Sequence, residues 1–137
     1  MPSVRILPGL RGARGATVTV PIVIDDATGL ESIDCKVGYD STVLASPRVR
    51  LGAVTTGGMV IANTTIFSRI IIAVALPEGP SAPSGTVLEI DFRVRPSAPV
   101  GGTRVDLRLV SLNEDGLVVS PAPRVGVDST DGLIHIT

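Results

Sequence analysis

Aromatic residues make up only 2% of this 137-residue sequence, with no Trp, one Tyr and two Phe. That scarcity argues strongly against the aromatic stacking platforms on which sugar-binding surfaces depend. Cysteine occurs once, as Cys35, so neither an intrachain disulfide framework nor a cysteine-rich zinc site can form. Histidine also occurs once, as His135, which removes any catalytic arrangement needing a second histidine and leaves a lone strand residue with a structural role. Twelve basic residues against thirteen acidic ones leave a net charge of −1, so nothing neutralises a phosphate backbone or attracts an anionic membrane surface. No apolar run approaches the roughly 18 residues that a membrane-spanning helix requires; the longest, Ile70 to Leu76, has Arg69 in front of it. The first residues, Met-Pro-Ser-Val-Arg-Ile, lack the apolar stretch of a secretory signal, and a strand pattern begins at once, as expected of a module excised from a longer protein.

What is abundant is Val, Ile, Leu and Ala, within a hydrophobic fraction of 44%. Many of these are β-branched, and β-branched side chains fit pleated sheets better than helices. Fifteen glycines and eleven prolines punctuate short apolar runs, and no helical periodicity persists. Nine strands are expected, at Val4–Leu7, Ala16–Ile24, Ile33–Tyr39, Val43–Leu51, Met59–Asn63, Arg69–Leu76, Thr86–Val94, Arg104–Leu112 and Leu133–Thr137. Several alternate clearly. Ile33, Cys35, Val37 and Tyr39 share one face, with Ser32, Asp34, Lys36 and Gly38 on the other; Leu88, Ile90, Phe92 and Val94 oppose Glu89, Asp91 and Arg93. Likewise Val105, Leu107 and Leu109 are expected to face in, against Arg104, Asp106 and Arg108. Gly9 to Gly15 reads as a loop, as do Pro77–Gly85, Ser97–Gly102, Asn113–Gly116 and Ser129–Gly132. The expected fold is all-β: two stacked antiparallel sheets in a single domain over 1–137.

Five segments, in order, resemble the cohesin family. Gly15-Ala-Thr-Val-Thr-Val-Pro-Ile is similar to its opening strand. Tyr39-Asp40 followed by Val43-Leu44 is similar to its YDPxVL turn, with Ser41 where proline is common. Gly85 to Val94, the Ala98 to Gly101 turn and the closing Asp131-Gly132-Leu-Ile-His-Ile complete the set. The resemblance spans nearly the whole chain. It implies a nine-stranded jelly-roll sandwich, no enzymatic activity, no cofactor of its own, and calcium-dependent pairing with a dockerin that carries the calcium itself. An extracellular or cell-surface setting goes with it.

The most informative run is Arg69-Ile-Ile-Ile-Ala-Val-Ala-Leu, apolar on both alternating sides. In a two-layer sandwich such a strand either lies under a covering element or shows an apolar face to a partner. Alternation leaves two sets, Ile70, Ile72, Val74 and Leu76 or Ile71, Ala73 and Ala75, and does not choose between them. The resemblance implies that Ile70, Ile72, Val74 and Leu76 point outward to the dockerin. It also implies a dockerin contact at Asp34, five residues before Tyr39, beside Lys36 and beside Ser32, where many cohesins have Asn. Leu117 and Val119 fall where further family contacts occur, and either extend the patch or return to the core. Weak self-association through the same apolar face is a further expectation.

No catalytic or metal-ligating residue is expected. The acidic pairs Asp25-Asp26, Glu114-Asp115 and Asp128 with Asp131 lie in turns, where aspartate caps backbone groups, and none fits an EF-hand loop; a weak surface calcium site is the most they suggest. The alternatives to a docking module are a passive spacer and a carbohydrate-binding sandwich of a surface protein. The first needs no apolar outer strand; the second needs aromatics that are missing.

Overall fold

A computed structural model describes residues 1–137. Ten strands follow in order: β1 (Val4–Ile6), β2 (Leu10–Gly12), β3 (Thr17–Ile24), β4 (Ser32–Tyr39), β5 (Leu44–Leu51), β6 (Met59–Asn63), β7 (Arg69–Ala75), β8 (Gly85–Val94), β9 (Gly101–Leu112) and β10 (Gly132–Ile136). Single 3-10 turns occupy Ala53–Thr55 and Asn113–Asp115. The strands form two sheets, one of four in the order β1-β3-β8-β5 and one of six in the order β2-β10-β9-β4-β7-β6. All pairings are antiparallel except that of β2 with β10. The result is the expected sandwich of jelly-roll type, with one strand more than the nine read from the sequence. The extra strand is β2, three residues ending in glycine, which carries no alternation to betray it and is held through its backbone beside β10.

The two inner faces meet over a continuous core of 29 buried residues, nearly all aliphatic. Phe92 sits fully buried within it, its ring centroid 5.0 Å from that of half-buried Tyr39 in a tilted aromatic pair. Cys35 packs among the aliphatics, and burial pushes its thiol up to about 12. The Tyr39-Asp40 turn has a local cause: Asp40 Oδ1 accepts hydrogen bonds from the Thr42 backbone N–H and hydroxyl, and Asp40 O accepts from the N–H groups of Val43 and Leu44.

Two registers decide what faces solvent. Directly opposite residues in an antiparallel pair share a face. Cys35 lies opposite Ile72, Ile33 opposite Val74 and Val37 opposite Ile70. Since Ile33, Cys35 and Val37 face the core, so must Ile70, Ile72 and Val74; these three and Leu76 are all buried. The outward orientation expected for Ile70, Ile72, Val74 and Leu76 is therefore corrected. The outer set of β7 is Arg69, Ile71, Ala73 and Ala75. The second register concerns β9, where the pairing with β4 shifts between Lys36 and Val37: Val37 opposes Leu107, yet Lys36 opposes Leu109. The inserted residue, Arg108, turns Leu109 to the outside, where alternation alone had placed it inside.

Candidate functional site

The two outer faces of the sandwich differ sharply. On the four-stranded sheet the outer side chains are largely polar, and one group of them is paired. Asp91 on β8 accepts from Arg50 Nε at 2.8 Å and Nη2 at 2.9 Å, and from the Thr19 hydroxyl at 2.6 Å. Glu89 lies 3.7 Å from the same guanidinium. The Arg50 guanidinium is the main reason the Asp91 carboxyl is held below its ordinary range.

On the six-stranded sheet, β9, β4, β7 and β6 present a platform whose rows can be read across the strands. Ser111, Asp34, Ala73 and Ile61 form one row; Leu109, Lys36, Ile71 and Asn63 form the next; Ser32, Ala75 and Met59 form a third. Ile61 and Met59 are 77% and 60% exposed, and Ile71, Leu109, Ala73 and Ala75 are exposed as well. Asp34 and Lys36 stand in the middle of this aliphatic surface, exposed, and neither enters a salt bridge within the chain. Phe67, in the loop between β6 and β7, is exposed at one end of the platform.

The platform has a fixed edge. The Asn113 side chain accepts hydrogen bonds from the N–H groups of Glu31 and Ser32 at 2.7 and 3.1 Å and donates to Gly29 O at 2.7 Å, which ties the start of β4 to the end of β9. Ser32 is half-buried there.

Of the residues singled out from sequence, Ser32, Asp34 and Lys36 share the outer face. Ile70, Ile72, Val74 and Leu76 lie beneath it in the core. Leu117 and Val119 are not on the platform either: both pack half-buried against the core, and Leu117 bridges to buried Leu112, which fixes the face it shares. In their place the platform uses Met59, Ile61, Ile71, Ala73, Ala75 and Leu109. The available signal was that β6, like β7, is apolar on both alternating sides.

Nothing on the platform is arranged for catalysis. It offers aliphatic area, small alanines that permit close approach, and the unpaired charges of Asp34 and Lys36, with Arg69 at the start of β7. No helix is long and apolar enough to cross a membrane.

Comparison with known proteins agrees with this fold. The family model for the cohesin domain matches residues 6–136. No curated protein matches the chain by sequence. Among solved structures, a non-cellulosomal cohesin from the hyperthermophilic archaeon Archaeoglobus fulgidus is 22% identical, with a TM-score of 0.74 over 98% of this chain and 91% of that one. The sixth cohesin of scaffoldin B from Acetivibrio cellulolyticus, in complex with a mutant Cel5 dockerin, is 17% identical, with a TM-score of 0.74 over 98% and 99%. A type III cohesin module from the ScaE cell-surface anchoring scaffoldin of Ruminococcus flavefaciens is 13% identical, with a TM-score of 0.73 over 98% and 87%. At these identities the structures speak for the fold, and the family match over almost the whole length speaks for kinship: the chain belongs to the cohesin domain family.

Proposed function

We propose that this cohesin domain, a non-catalytic interaction module whose partners are dockerins, receives its dockerin on the outer face of the β9-β4-β7-β6 platform. The observation that carries the reading is the asymmetry of the sandwich. One outer face is polar, with exposed arginines around the Arg50–Asp91 pair, whereas the other exposes Met59, Ile61, Ile71, Ala73, Ala75 and Leu109 around Asp34 and Lys36. Burying the aliphatic surface supplies affinity. Asp34 supplies orientation, because a carboxylate amid apolar neighbours gains strong hydrogen bonds only where a partner places hydroxyl or amide donors over it. Ser32 lies at the rim of the same face.

Residues 1–137 act as one docking module in an extracellular or cell-surface setting, and the calcium of the pairing sits in the dockerin. The test is calorimetric titration of the module with a panel of dockerins in calcium, with backbone amide shifts followed by NMR. Perturbations gathered on β4, β6 and β7 support the reading. Perturbations gathered on β3, β5 and β8, or concentration-dependent self-association through the platform with no dockerin bound, overturn it.

A further inference from the structure

Beyond the platform, and independent of the docking reading, the β9–β10 end of the same sheet holds an aspartate cluster. Asp106 projects from the outer side of β9, opposite Gly38, while Asp128 and Asp131 come from the segment leading into β10. One carboxylate oxygen from each lies within 4.8 Å of the other two. The Asp131 side chain is 0% exposed and Asp106 is 9% exposed.

Most of the oxygens are occupied. Asp131 Oδ1 accepts from Leu107 N–H and Oδ2 from Asp128 N–H; Asp106 Oδ2 accepts from Arg108 Nε and Gly126 N–H; Asp128 accepts from the N–H groups of Arg124 and Thr130 and from the Thr130 hydroxyl. Asp106 Oδ1 is different, being buried with no hydrogen-bond partner at all. Arg104 approaches Asp131 at 3.5 Å and Arg108 approaches Asp106 at 2.9 Å, yet neither reaches that oxygen. A buried charged acceptor left unmet is costly, and carboxylates crowded around it raise the cost. Consistent with this, burial and then the charges of Asp128 and Asp106 push the Asp131 carboxyl above its ordinary range.

We propose that Asp106, Asp128 and Asp131 form a binding site for a hard divalent cation of the calcium type, with Asp106 Oδ1 among its ligands. The donors are all oxygens, with neither His nor Cys in the cluster, which disfavours zinc and softer metals. Calcium tolerates irregular coordination and takes water for its remaining positions, whereas magnesium demands near-ideal octahedral geometry that carboxylates already anchored by backbone N–H groups do not readily adopt. The ion would pin the 124–131 segment onto β9. Sequence alone hides the site, because its decisive ligand comes from a strand remote in the chain from the turn that carries the other two.

The experiment uses the module alone, stripped with EDTA and free of dockerin, so that no calcium signal comes from the partner. Titration with CaCl2 should show one ion bound. The melting temperature should rise by about 5–10 °C at about a hundredfold excess over Kd. Asp106→Asn should bind calcium at least about tenfold more weakly while remaining folded in EDTA, since its amide oxygen can still accept from Arg108 and Gly126 and the change removes a crowded charge. Glu89→Gln, on the opposite sheet, should bind calcium as the parent does. Absence of both heat and melting shift in the parent, or unchanged affinity in Asp106→Asn, overturns the site. So does a parent that gains stability on mild acidification but ignores calcium, because then a proton resolves the crowding instead.

Discussion

Ile71 and Ile72 are adjacent in sequence and belong to opposite worlds: Ile72 lies opposite Cys35 and is 1% exposed, while Ile71 lies opposite Lys36 and is 37% exposed. The same substitution at the two positions should therefore have separable effects. Ile71→Asp should weaken dockerin binding at least tenfold, about 1.4 kcal/mol or more, while costing about 1 kcal/mol or less of stability for the poorer strand former. Ile72→Asp should fail to fold, and even Ile72→Ala should lose about 2–5 kcal/mol of stability. Calorimetry and thermal unfolding run side by side check both. Loss of binding for Ile72→Ala in proportion to its unfolded fraction, with Ile71→Asp binding as the parent does, would remove β7 from the interface.

Asp34 is expected to act through the partner alone. It is exposed, forms no salt bridge in the chain, and is flanked by Ala73 and Ser111 on the neighbouring strands. Asp34→Ala should leave the melting temperature within about 2 °C of the parent, as surface changes usually do. It should nonetheless weaken docking at least about tenfold, chiefly through a faster off-rate, since a hydrogen-bonded charge at the centre of an interface governs dissociation more than encounter. Surface plasmon resonance separates the two rates. An altered on-rate with an unchanged off-rate would reduce Asp34 to a rim charge.

The fold could be read from the sequence because most strands follow period-two alternation and most turns carry the residues that turns require. The alternation of β8 and the Asp40 capping turn needed no tertiary information. The proposed docking face was harder, for a physical reason. β7 is apolar on both sides, so its orientation depends on which residue of β4 it opposes, and that follows from the path of the intervening chain. At β9 a single inserted residue, Arg108, inverts the expected direction of Leu109, and a bulge of this kind has no signature in hydrophobicity. The outward direction of Asp34 was legible because its own strand alternates cleanly; those of Met59 and Ile61 were not, because Val60 and Ala62 beside them are equally apolar and face inward.

Gly38 offers a steric test of the outer face. It is buried, and a Cβ built there would collide with the Arg108 guanidinium, so the glycine leaves room for Arg108 to lie across β4 and hydrogen-bond to Asp106. Gly38→Ala should displace the flexible arginine without disturbing the backbone. Losing that charge-assisted bond at a partly exposed site should cost roughly 1 kcal/mol of stability. Gly38→Ala combined with Arg108→Ala should be no less stable than Arg108→Ala alone, because the clash is then gone. Thermal unfolding of the three variants decides. A double variant clearly less stable than Arg108→Ala would mean that the backbone at residue 38, and not the guanidinium, objects to the methyl group.

Acid should unfold the module partly through Asp91. Its carboxyl is held below the ordinary range by the Arg50 guanidinium first, with help from the Thr19 hydroxyl. A carboxyl whose folded-state pKa lies below the unfolded value of about 3.9 favours the folded state fully above that value, and the contribution is lost as the pH falls through the lower, folded one. Asp131 works with the opposite sign: its raised pKa makes its charge a liability to the folded state near neutrality, and protonation relieves it as the pH falls through the raised value. In EDTA the parent should therefore gain a little stability on mild acidification and then lose it below about pH 4. Asp91→Asn should melt lower than the parent at neutral pH, and the gap should narrow as the solution is taken below about pH 4, where the parent's carboxylate is also neutralised. Melting temperatures of both proteins across this range test the pairing. A gap that stays constant to the acid end would show that the amide disturbs packing at this position and that the ion pair of Asp91 with Arg50 contributes nothing to folding.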